Sequence, residues 1–442
     1  MKNLKKIILS VTLCGLLVST SAFATPDTAL TSTSTLEARA TAFEPTSSHR
    51  LAMGGAGLGL AGYYDSYLYN PANITKDGLK IVMPSLTVTI NNVYDLMVPE
   101  DGGDDAITIA QRIGSDDNAP AELGALILKS IPYGYGEIMT LDANVGMKTR
   151  GFGVDLAVQE KLRSYNGGGD YTTANAISVT TVAATLAFGL NIPLGEHLSI
   201  DLGAKGAFNY KVYSIAMGFD EVLDIMSGSS DFGTTMMETI PFASGYALPF
   251  AVGANLNLPL GFTISGVGRN FNGNYNMTGY QNLKSLINND ETITAFLGTD
   301  SLGTDESYAP DSSDEFTVEI PWSLDVGVAF APSTALDGLV KPSIAVDLID
   351  SYSLLESVIN QTSTPAELKS DALESLNIGA QVRLLNLIDV RAGLSQGYKS
   401  VGVGLDLLVV HLDAAYYWRE YGEVLGQSPS DSLSVKFSLL SR

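Results

Sequence analysis

The feature that most constrains this chain is a two-residue alternation of apolar and polar side chains that recurs from about residue 79 to the C-terminus. In residues 431–440, apolar side chains occupy the odd positions from Leu433 to Leu439, and serine or lysine occupies the even positions between them. Successive side chains of a strand point to opposite faces, so each such segment has one apolar and one polar face. The pattern predicts an all-β chain built from two-faced strands.

Composition indicates what the two faces meet. The chain is 45% hydrophobic and 17% charged, and its mean hydropathy is positive although its net charge is −23. Beyond the N-terminal segment no run of eighteen apolar residues occurs, which argues against membrane-spanning helices. Strands with one face toward lipid and one toward a lumen are typical of a transmembrane β-barrel. The negative charge argues against a nucleic-acid partner, because phosphates select Lys and Arg.

Fourteen segments carry the alternation, and an even number suits a closed antiparallel barrel. Short and long connections alternate between them, which predicts short periplasmic turns and longer external loops. We therefore predict a 14-stranded antiparallel transmembrane β-barrel. The predicted strands are residues 79–91, 136–148, 151–163, 175–191, 197–213, 246–258, 261–278, 315–330, 340–349, 373–385, 388–396, 399–408, 410–420 and 431–440.

The ends of the predicted strands carry two further patterns. Aromatic residues there predict an interfacial girdle, formed by Tyr210, Tyr213, Tyr416, Tyr417 and Trp418. Short amphipathic helices are predicted in the external loops, at residues 105–115, 120–131, 219–227 and 281–288. These helices either offer an apolar landing groove on the rim or pack on one another as a cap over the barrel.

The N-terminus has the pattern of an export signal. Residues 1–24 contain lysines, then an apolar run from Ile7 to Val18, and end in Ala22-Phe23-Ala24. This predicts a cleavable signal peptide, whose apolar run is too short to span a bilayer. Its removal would take away Cys14, the single cysteine. Residues 25–48, rich in Thr and Ser, are predicted to be a flexible lead-in.

Residues 49–78 differ from everything that follows. Five glycines between Gly54 and Gly62 make the segment too rich in glycine for a helix and too irregular for a strand, and they allow conformations closed to other residues. We predict a compact plug. Gly57 to Gly62 formally matches a dinucleotide fingerprint, but no strand precedes it and no βαβ unit follows, so we reject a nucleotide site.

The same segment carries a resemblance to a known family. A small-residue, glycine-rich run, an acidic residue, an aromatic residue and Asn-Pro-Ala follow one another, at Met53 to Gly62, Asp65, Tyr69 and Asn70-Pro71-Ala72. This order resembles the start of the mature chain in the FadL-type (FadL/TodX-like) outer-membrane transporters of long-chain fatty acids, with TraF-like and PorV-like barrels as relatives. The chain departs from the pattern at Asn73-Ile74, where a glycine and an apolar residue are common.

The resemblance implies a division of the chain and a set of gating residues. In the family this segment is an N-terminal hatch that plugs a 14-stranded barrel, which implies a hatch at residues 49–78 and a barrel at residues 79–442. The hatch and gate residues would be Gly54, Gly55, Gly57, Asn70, Pro71 and Ala72. Of these, Asn70-Pro71-Ala72 matches the family segment through which substrate leaves.

Signals for catalysis or metal binding are weak, so we predict no enzyme activity, no cofactor and no metal site. Residues 393–397 match a nucleophile elbow in letters, but they lie between two predicted strands and are better explained as a hairpin loop. The three histidines lack ligand-like spacing. Acidic clusters near residues 100–105 and 311–315 could hold calcium, although solvated loop charges explain them better.

Two arginines are candidates for contact with a substrate head group. Arg383 and Arg391 are predicted on adjacent strands, facing the lumen near its periplasmic end. They either pair with neighbouring aspartates or briefly hold a carboxylate that passes.

The predicted function is passive transport of hydrophobic small molecules, with long-chain fatty acids as the implied substrate, across the cell outer membrane. The expected partners are the bilayer and a hydrophobic ligand. The alternative is a PorV-like or TraF-like scaffold or carrier in secretion or conjugation, with a periplasmic or secretion-system protein as partner. An open porin is a third possibility, which the predicted hatch disfavours.

Overall fold

The computed structural model describes most of the chain beyond residue 41. The described residues are 42–99, 102–112, 115–116, 118–130, 134–166, 174–196, 198–214, 241–297, 315–332, 339–360, 371–421, 426 and 429–440. The predicted signal peptide, residues 25–41 of the predicted lead-in and the predicted helix at 219–227 lie outside them.

A single antiparallel sheet closes on itself to form a barrel, because the first strand pairs with the last along Ser85↔Ser438 to Asn91↔Ser432. Among the described residues, its seventeen strand segments form fourteen strands of the barrel wall, which we call staves, so the predicted 14-stranded antiparallel β-barrel is confirmed. The segments are β1 Lys80–Asn91, β2 Gly134–Thr149, β3 Phe152–Asn166, β4 Ala174–Pro193, β5 Ser199–Ser214, β6 Phe242–Ala247, β7 Phe250–Asn257, β8 Phe262–Phe271, β9 Tyr275–Tyr280, β10 Glu315–Val318, β11 Ser323–Phe330, β12 Val340–Leu348, β13 Leu376–Leu384, β14 Ile388–Ser395, β15 Tyr398–Leu407, β16 Val410–Glu420 and β17 Pro429–Leu439.

Three adjacent staves are interrupted, which the sequence did not predict. β6 and β7 both pair with β5, so they form one stave, and β8 with β9 and β10 with β11 form the next two. Pro249 lies in the first break and Pro321 in the third, and proline cannot donate to a sheet ladder. In the middle stave, Asn272 has a positive φ of 57°.

The two faces of the strands match the alternation. On β15 and β17 the apolar side chains, such as Val401 and Val435, are exposed on the outer surface, whereas Ser434 and Lys436 are buried on the inner side. The predicted girdle is partly wrong, because Tyr213 and Tyr417 are buried in clusters inside the barrel. Their positions in the alternation, rather than their closeness to strand ends, decide the side they face.

The wall is uneven in height. β2 to β5 are 15–20 residues long, whereas β12 to β15 are 8–10 residues long. β14 and β15 are joined at the low rim by the two-residue turn Gln396-Gly397, with φ of 54° and 80°. Ser395 therefore ends a strand at a hairpin, as predicted, rather than occupying a strand-to-helix elbow.

The helices are short and lie before or between the strands. In the described residues they are α1 Ser48–Ala52, α2 Ser66–Tyr69, a 3₁₀ helix Pro71–Thr75, α3 Val93–Met97, α4 Ala106–Arg112, α5 Ala119–Lys129, a one-turn 3₁₀ helix Pro259–Gly261, α6 Leu283–Asn289, α7 Glu291–Leu297 and α8 Ser351–Asn360. Helices α4, α5 and α6 coincide with three of the predicted loop helices. Within the described ranges, no helix is long and apolar enough to cross a membrane.

Helices α6 and α7 pack on the wall rather than over the lumen. Asp290, between them, accepts hydrogen bonds from Tyr210 and Ser244, which lie on the same outward side of the sheet as Phe208 and Tyr246. Asp290 also accepts from the backbone N–H groups of Thr292 and Ile293 at the start of α7. For this pair, neither the predicted rim groove nor the predicted cap describes the arrangement.

Candidate functional site

The hatch segment, residues 49–78, lies against inward-facing residues from many strands. Its 3₁₀ helix packs against β4, β5 and β7, and α1 packs against β14 to β17. Residues just before it are also packed, since Thr46 N donates to Asp142 Oδ1 at 3.2 Å and Glu44 O accepts from Gln159. The last part of the predicted lead-in therefore lies in contact with the wall.

The three hatch glycines singled out from the sequence adopt conformations that other residues avoid. Gly54, Gly55 and Gly57 have φ of 62°, 76° and 129°. A Cβ on Gly54 would also overlap the backbone of Leu394 in β14. Glycine is needed at Gly54 for two reasons, the left-handed conformation and the close approach to the wall.

Glycines of the wall also allow close approach between the wall and the hatch segment. The backbone of Met53 occupies the space where a Cβ of Gly393 would lie, and the Pro71 carbonyl does the same for Gly203 in β5. Gly379 and Gly253 make equally close approaches to Met53 and to the Asn70 side chain. We call these wall glycines, which leave room for the hatch segment, its seats. They were not predicted from the sequence, although glycine at lumen-facing positions of the alternation was the available signal.

Asn70 and Asn73 form a buried amide network. Both side chains donate to Leu58 O, at 2.8 and 3.1 Å, and Asn255 of β7 joins them by accepting from Asn70 and donating to Asn73. Asn70 also caps the 3₁₀ helix by accepting from Ala72 N at 3.0 Å. Asn73, noted above as a departure from the family pattern, thus connects the hatch segment to itself and to the wall.

Pro71 and Ala72 are fully packed. Pro71 occupies the first turn of the 3₁₀ helix, where its missing N–H costs nothing. Ala72 is completely buried, and its backbone lies close to both Gly203 and Gly253. The three predicted gate residues are therefore adjacent, and they lie against the β5–β7 part of the wall.

A buried ion pair and an aromatic stack hold the start and middle of the hatch segment together. Lys436 Nζ of β17 lies 2.9 Å from Asp65 Oδ2, and the His49 ring stacks on Tyr63 with centroids 3.8 Å apart. Burial acts to raise the pKa of Asp65, but the Lys436 ammonium outweighs it and holds that pKa below its usual range. Burial lowers the pKa of His49 to about 4, so the ring is neutral at pH 7.

The glycine-rich run is also bound through backbone N–H groups. Asp347 Oδ2 of β12 accepts from Gly57 N at 2.6 Å and from Leu58 N at 3.0 Å. Ser400 of β15 donates to Ala52 O at 3.1 Å. These contacts hold the backbone in place and involve no side chain of the hatch segment.

The predicted head-group arginines are both engaged. Arg391 is buried and donates to Asp413 and Asp389 at 2.6 and 2.9 Å, and to Tyr63 Oη at 2.9 Å. Its Nε donates to Gln381, so all three nitrogens of the guanidinium have acceptors. Arg383 donates to Asp406 and to Asn386 O. The structure thus shows them paired with aspartates and, for Arg391, with the hatch segment.

A different set of cations lines a cavity of about 300 Å³ between the hatch segment and the wall. Lys161 and Arg419 approach the same carboxylate, Glu137, at 3.4 and 3.9 Å, and Arg163 approaches it at 3.6 Å. Arg50, Arg269 and Glu44 also line this cavity, and the Glu44 carboxylate interacts electrostatically with both arginines. Burial acts to raise the pKa of Glu44, but the two arginines lower it overall.

Lys211 in β5 adds a further basic side chain. It is 4% exposed, and its Nζ lies 4.2 Å from the centroid of the Tyr275 ring. In the described part of the chain, no carboxylate forms an ion pair with it within 4.0 Å. The neighbouring apolar side chains form what we call the upper apolar cluster, Ile177, Val179, Tyr213, Ala243, Ala247, Tyr275, Met277, Val318 and Ile320.

Metal ligands are not grouped in the described residues: no set of three or more His, Cys, Asp or Glu is placed to hold an ion. Of the acidic clusters weighed for calcium, Glu100, Asp101, Asp311 and Asp314 lie outside the described ranges. Asp105 starts α4, where its side chain accepts from Ile107 N and Thr108 N at 2.9 Å each.

No family model and no curated protein sequence matches the chain. Among solved structures, it is similar to a TodX deletion mutant described as a monoaromatic hydrocarbon channel, with 10% identity, TM-score 0.45 and coverage of 90% of this chain and 99% of that one. It is also similar to the CymD monoaromatic hydrocarbon channel (11%, TM-score 0.42, 90% and 98%) and to a Pseudomonas aeruginosa FadL homologue (10%, TM-score 0.41, 91% and 100%).

Proposed function

We propose that the chain is a FadL-type transporter of the outer membrane. In this proposal it passes small hydrophobic molecules that carry an anionic head group, such as long-chain fatty acids, by passive diffusion through a barrel gated by the hatch segment. The Met53-to-Ala72 pattern supports the type of protein, and the closed barrel supports the membrane location.

The observation that carries the substrate class is the group of basic side chains beside the upper apolar cluster. Lys161 and Arg419 both approach Glu137, and Lys211 has no carboxylate partner among the described residues. A buried cation without a counter-ion is costly. A ligand carboxylate would offset that cost while its apolar body packed on Tyr213 and Tyr275.

Capture would begin at the external rim. Tyr94 and Met97 of α3, with Val98 and Ile107, expose apolar side chains there. The head group would next meet the cations of the cavity, rather than Arg383 and Arg391, whose guanidinium groups already bind aspartates. Release would require the hatch segment from Gly54 to Ala72 to rearrange, with Asn70-Pro71-Ala72 as the moving gate.

The test compares two ligands of equal length, dodecanoate and dodecanol, binding to the solubilised full chain. Hydrogen bonds to charged groups contribute about 1.5–3 kcal/mol, so the carboxylate is expected to bind at least about tenfold more tightly. Lys211→Met should remove most of this preference. The matched control is Lys399→Met, which removes an exposed lysine of β15 whose Nζ lies 4.7 Å from the centroid of the Trp418 ring.

Equal affinities for the two ligands in the unaltered protein would contradict the proposed substrate class. Mass spectrometry of gently solubilised protein gives a second readout. A retained acyl carboxylate is expected, whereas a stoichiometric protein partner with no retained lipid would favour the scaffold alternative.

A further inference from the structure

Helix α8, Ser351–Asn360, begins on the outer surface of the wall. Ser351 Oγ donates to Leu324 O at 2.7 Å, and the Tyr352 ring lies 4.6 Å from the Trp322 ring. Trp322 and Leu324 belong to the outward side of β11 and its preceding break, where both are exposed. The helix therefore starts beside the face of the barrel that meets lipid.

After Ser351, the side chains of α8 separate into two faces. At 100° per residue, Leu354, Leu355, Val358, Ile359 and Tyr352 fall on one side, and Ser353, Glu356, Ser357 and Asn360 fall on the other. Four of the apolar side chains are exposed, by 42% for Tyr352, 54% for Leu355, 48% for Val358 and 67% for Ile359. An apolar helix face this exposed calls for an apolar environment.

The helix also stands where the wall is low. It connects β12 and β13, which have nine residues each. Nine residues at about 3.3 Å cover about 30 Å along a strand, or about 23 Å of height at a tilt of about 40°. The apolar band of such barrels is about 25 Å tall. These two staves therefore fall slightly short of the band, and α8 adds apolar surface at the external end.

We propose that α8 is an interfacial helix that lies in the outer leaflet, with Leu355 and Ile359 among the acyl chains and Glu356 toward water. Its apolar face is continuous with the lipid-facing band through the contact between Tyr352 and Trp322. Glu356 is its single charged residue, so buried apolar area rather than attraction to head-group charge would hold it. The proposal requires a membrane-spanning barrel and is independent of the substrate.

The test places an environment-sensitive nitrobenzoxadiazole label at single cysteines in a Cys14→Ser background. Leu355→Cys reports on the apolar face, Ser353→Cys on the polar face of the same helix, and Val401→Cys on the exposed outer face of β15. Each full-chain variant is inserted into phosphatidylcholine vesicles with or without a spin label on the acyl chain. Heat-dependent gel migration checks that each barrel is folded.

We expect the spin-labelled lipid to reduce the fluorescence at positions 355 and 401 to a similar extent, about twofold or more, and to leave position 353 nearly unchanged. Equal, weak quenching at positions 353 and 355 would overturn the proposal by placing the helix in water. A label at position 355 that is shielded from water but not quenched by the lipid would also overturn it, since a second copy or another protein would then cover the face.

Discussion

The two halves of the hatch segment are bound to the wall in different ways. The polar contacts of residues 52–58 with the wall involve their backbone, since Asp347 and Ser400 contact main-chain N–H and C=O groups, and their buried side chains, such as Met53 and Leu58, are apolar. Residues 63–75 are held through side chains, by the network of Asn70 and Asn73 and by an apolar cluster of Tyr64, Tyr67, Leu68, Ile74, Val82 and Ala187.

In the proposed gating function, this difference would let the hatch segment be specific in its resting position and still able to detach. A shift of the first half would move apolar side chains and backbone contacts but would leave no buried amide or charged side chain of that half without its partner. The second half contains buried amides whose partners are individually placed, and a buried amide without a partner costs about 1–3 kcal/mol. We therefore expect the first half to detach more readily, while the second half sets the resting position.

The largest expected effect comes from filling the space that Gly203 leaves for the second half of the hatch segment. In Gly203→Val, the new side chain would overlap the Pro71 carbonyl, so residues 70–75 could not return to their place. We expect the ion conductance of the variant in planar bilayers to rise at least about tenfold over the plugged protein. Gly206→Val is the matched control, because a Cβ on Gly206, in the same strand, meets nothing within 4 Å. Equal conductance of the two variants would show that the seat does not hold the plug.

A smaller effect should distinguish the two halves of the hatch segment, because lowering the pH should destabilise only the first half. His49 has a pKa of about 4 in place and about 6.5 when released, so the released form binds the extra proton between these values. The stability of the hatch is then complete above pH 6.5 and falls as the pH drops toward 4, by about 2 kcal/mol at pH 5. The protonated ring would face Asp65, Asp413, Lys436 and Arg391.

Hydrogen exchange at pH 8 and pH 5 measures this, after correction for the intrinsic pH dependence. We expect lost protection in residues 47–58 and retained protection in residues 70–75, with the difference abolished in His49→Gln. Greater protection of the first half at pH 5 than at pH 8 would contradict the predicted direction of the pH effect.

The smallest expected effect is local to the amide network. Asn73→Ala removes a donor to Leu58 O and leaves Asn255 without one acceptor, at a cost of about 1–3 kcal/mol. Protection of the Asn70 to Thr75 amides should fall while that of residues 52–56 is unchanged. Asn288→Ala, in external helix α6, serves as a control substitution of the same type. Loss of protection in both halves alike would show that they act as one unit.

The sequence predicted the strands of the barrel far better than the contacts between the barrel wall and the hatch segment. Lipid on one side imposes a period of two that is readable within each strand, which is why all fourteen were found within a few residues. The breaks were missed because Pro321 was read inside an otherwise regular strand. The wall seats were missed because the partners of Gly203 and Gly393 lie more than a hundred residues away, and alternation treats glycine as neutral. Lys211 and the cations around Glu137 were also missed, although Lys161 and Arg163 lie on the strand next to Glu137, as Arg383 and Arg391 lie on neighbouring strands.

The pairing of β1 with β17 has a consequence for how the molecule is made. The hatch segment leads directly into β1, and β1 finds its second neighbour only when the last strand has been synthesised and delivered. Closure of the ring is therefore a late event, and the thirty residues of the hatch segment, with their buried ion pair and amides, would have to pass the rim if they arrived afterwards. The simpler order of assembly has the plug already lying on an open, curved sheet, which then seals around it.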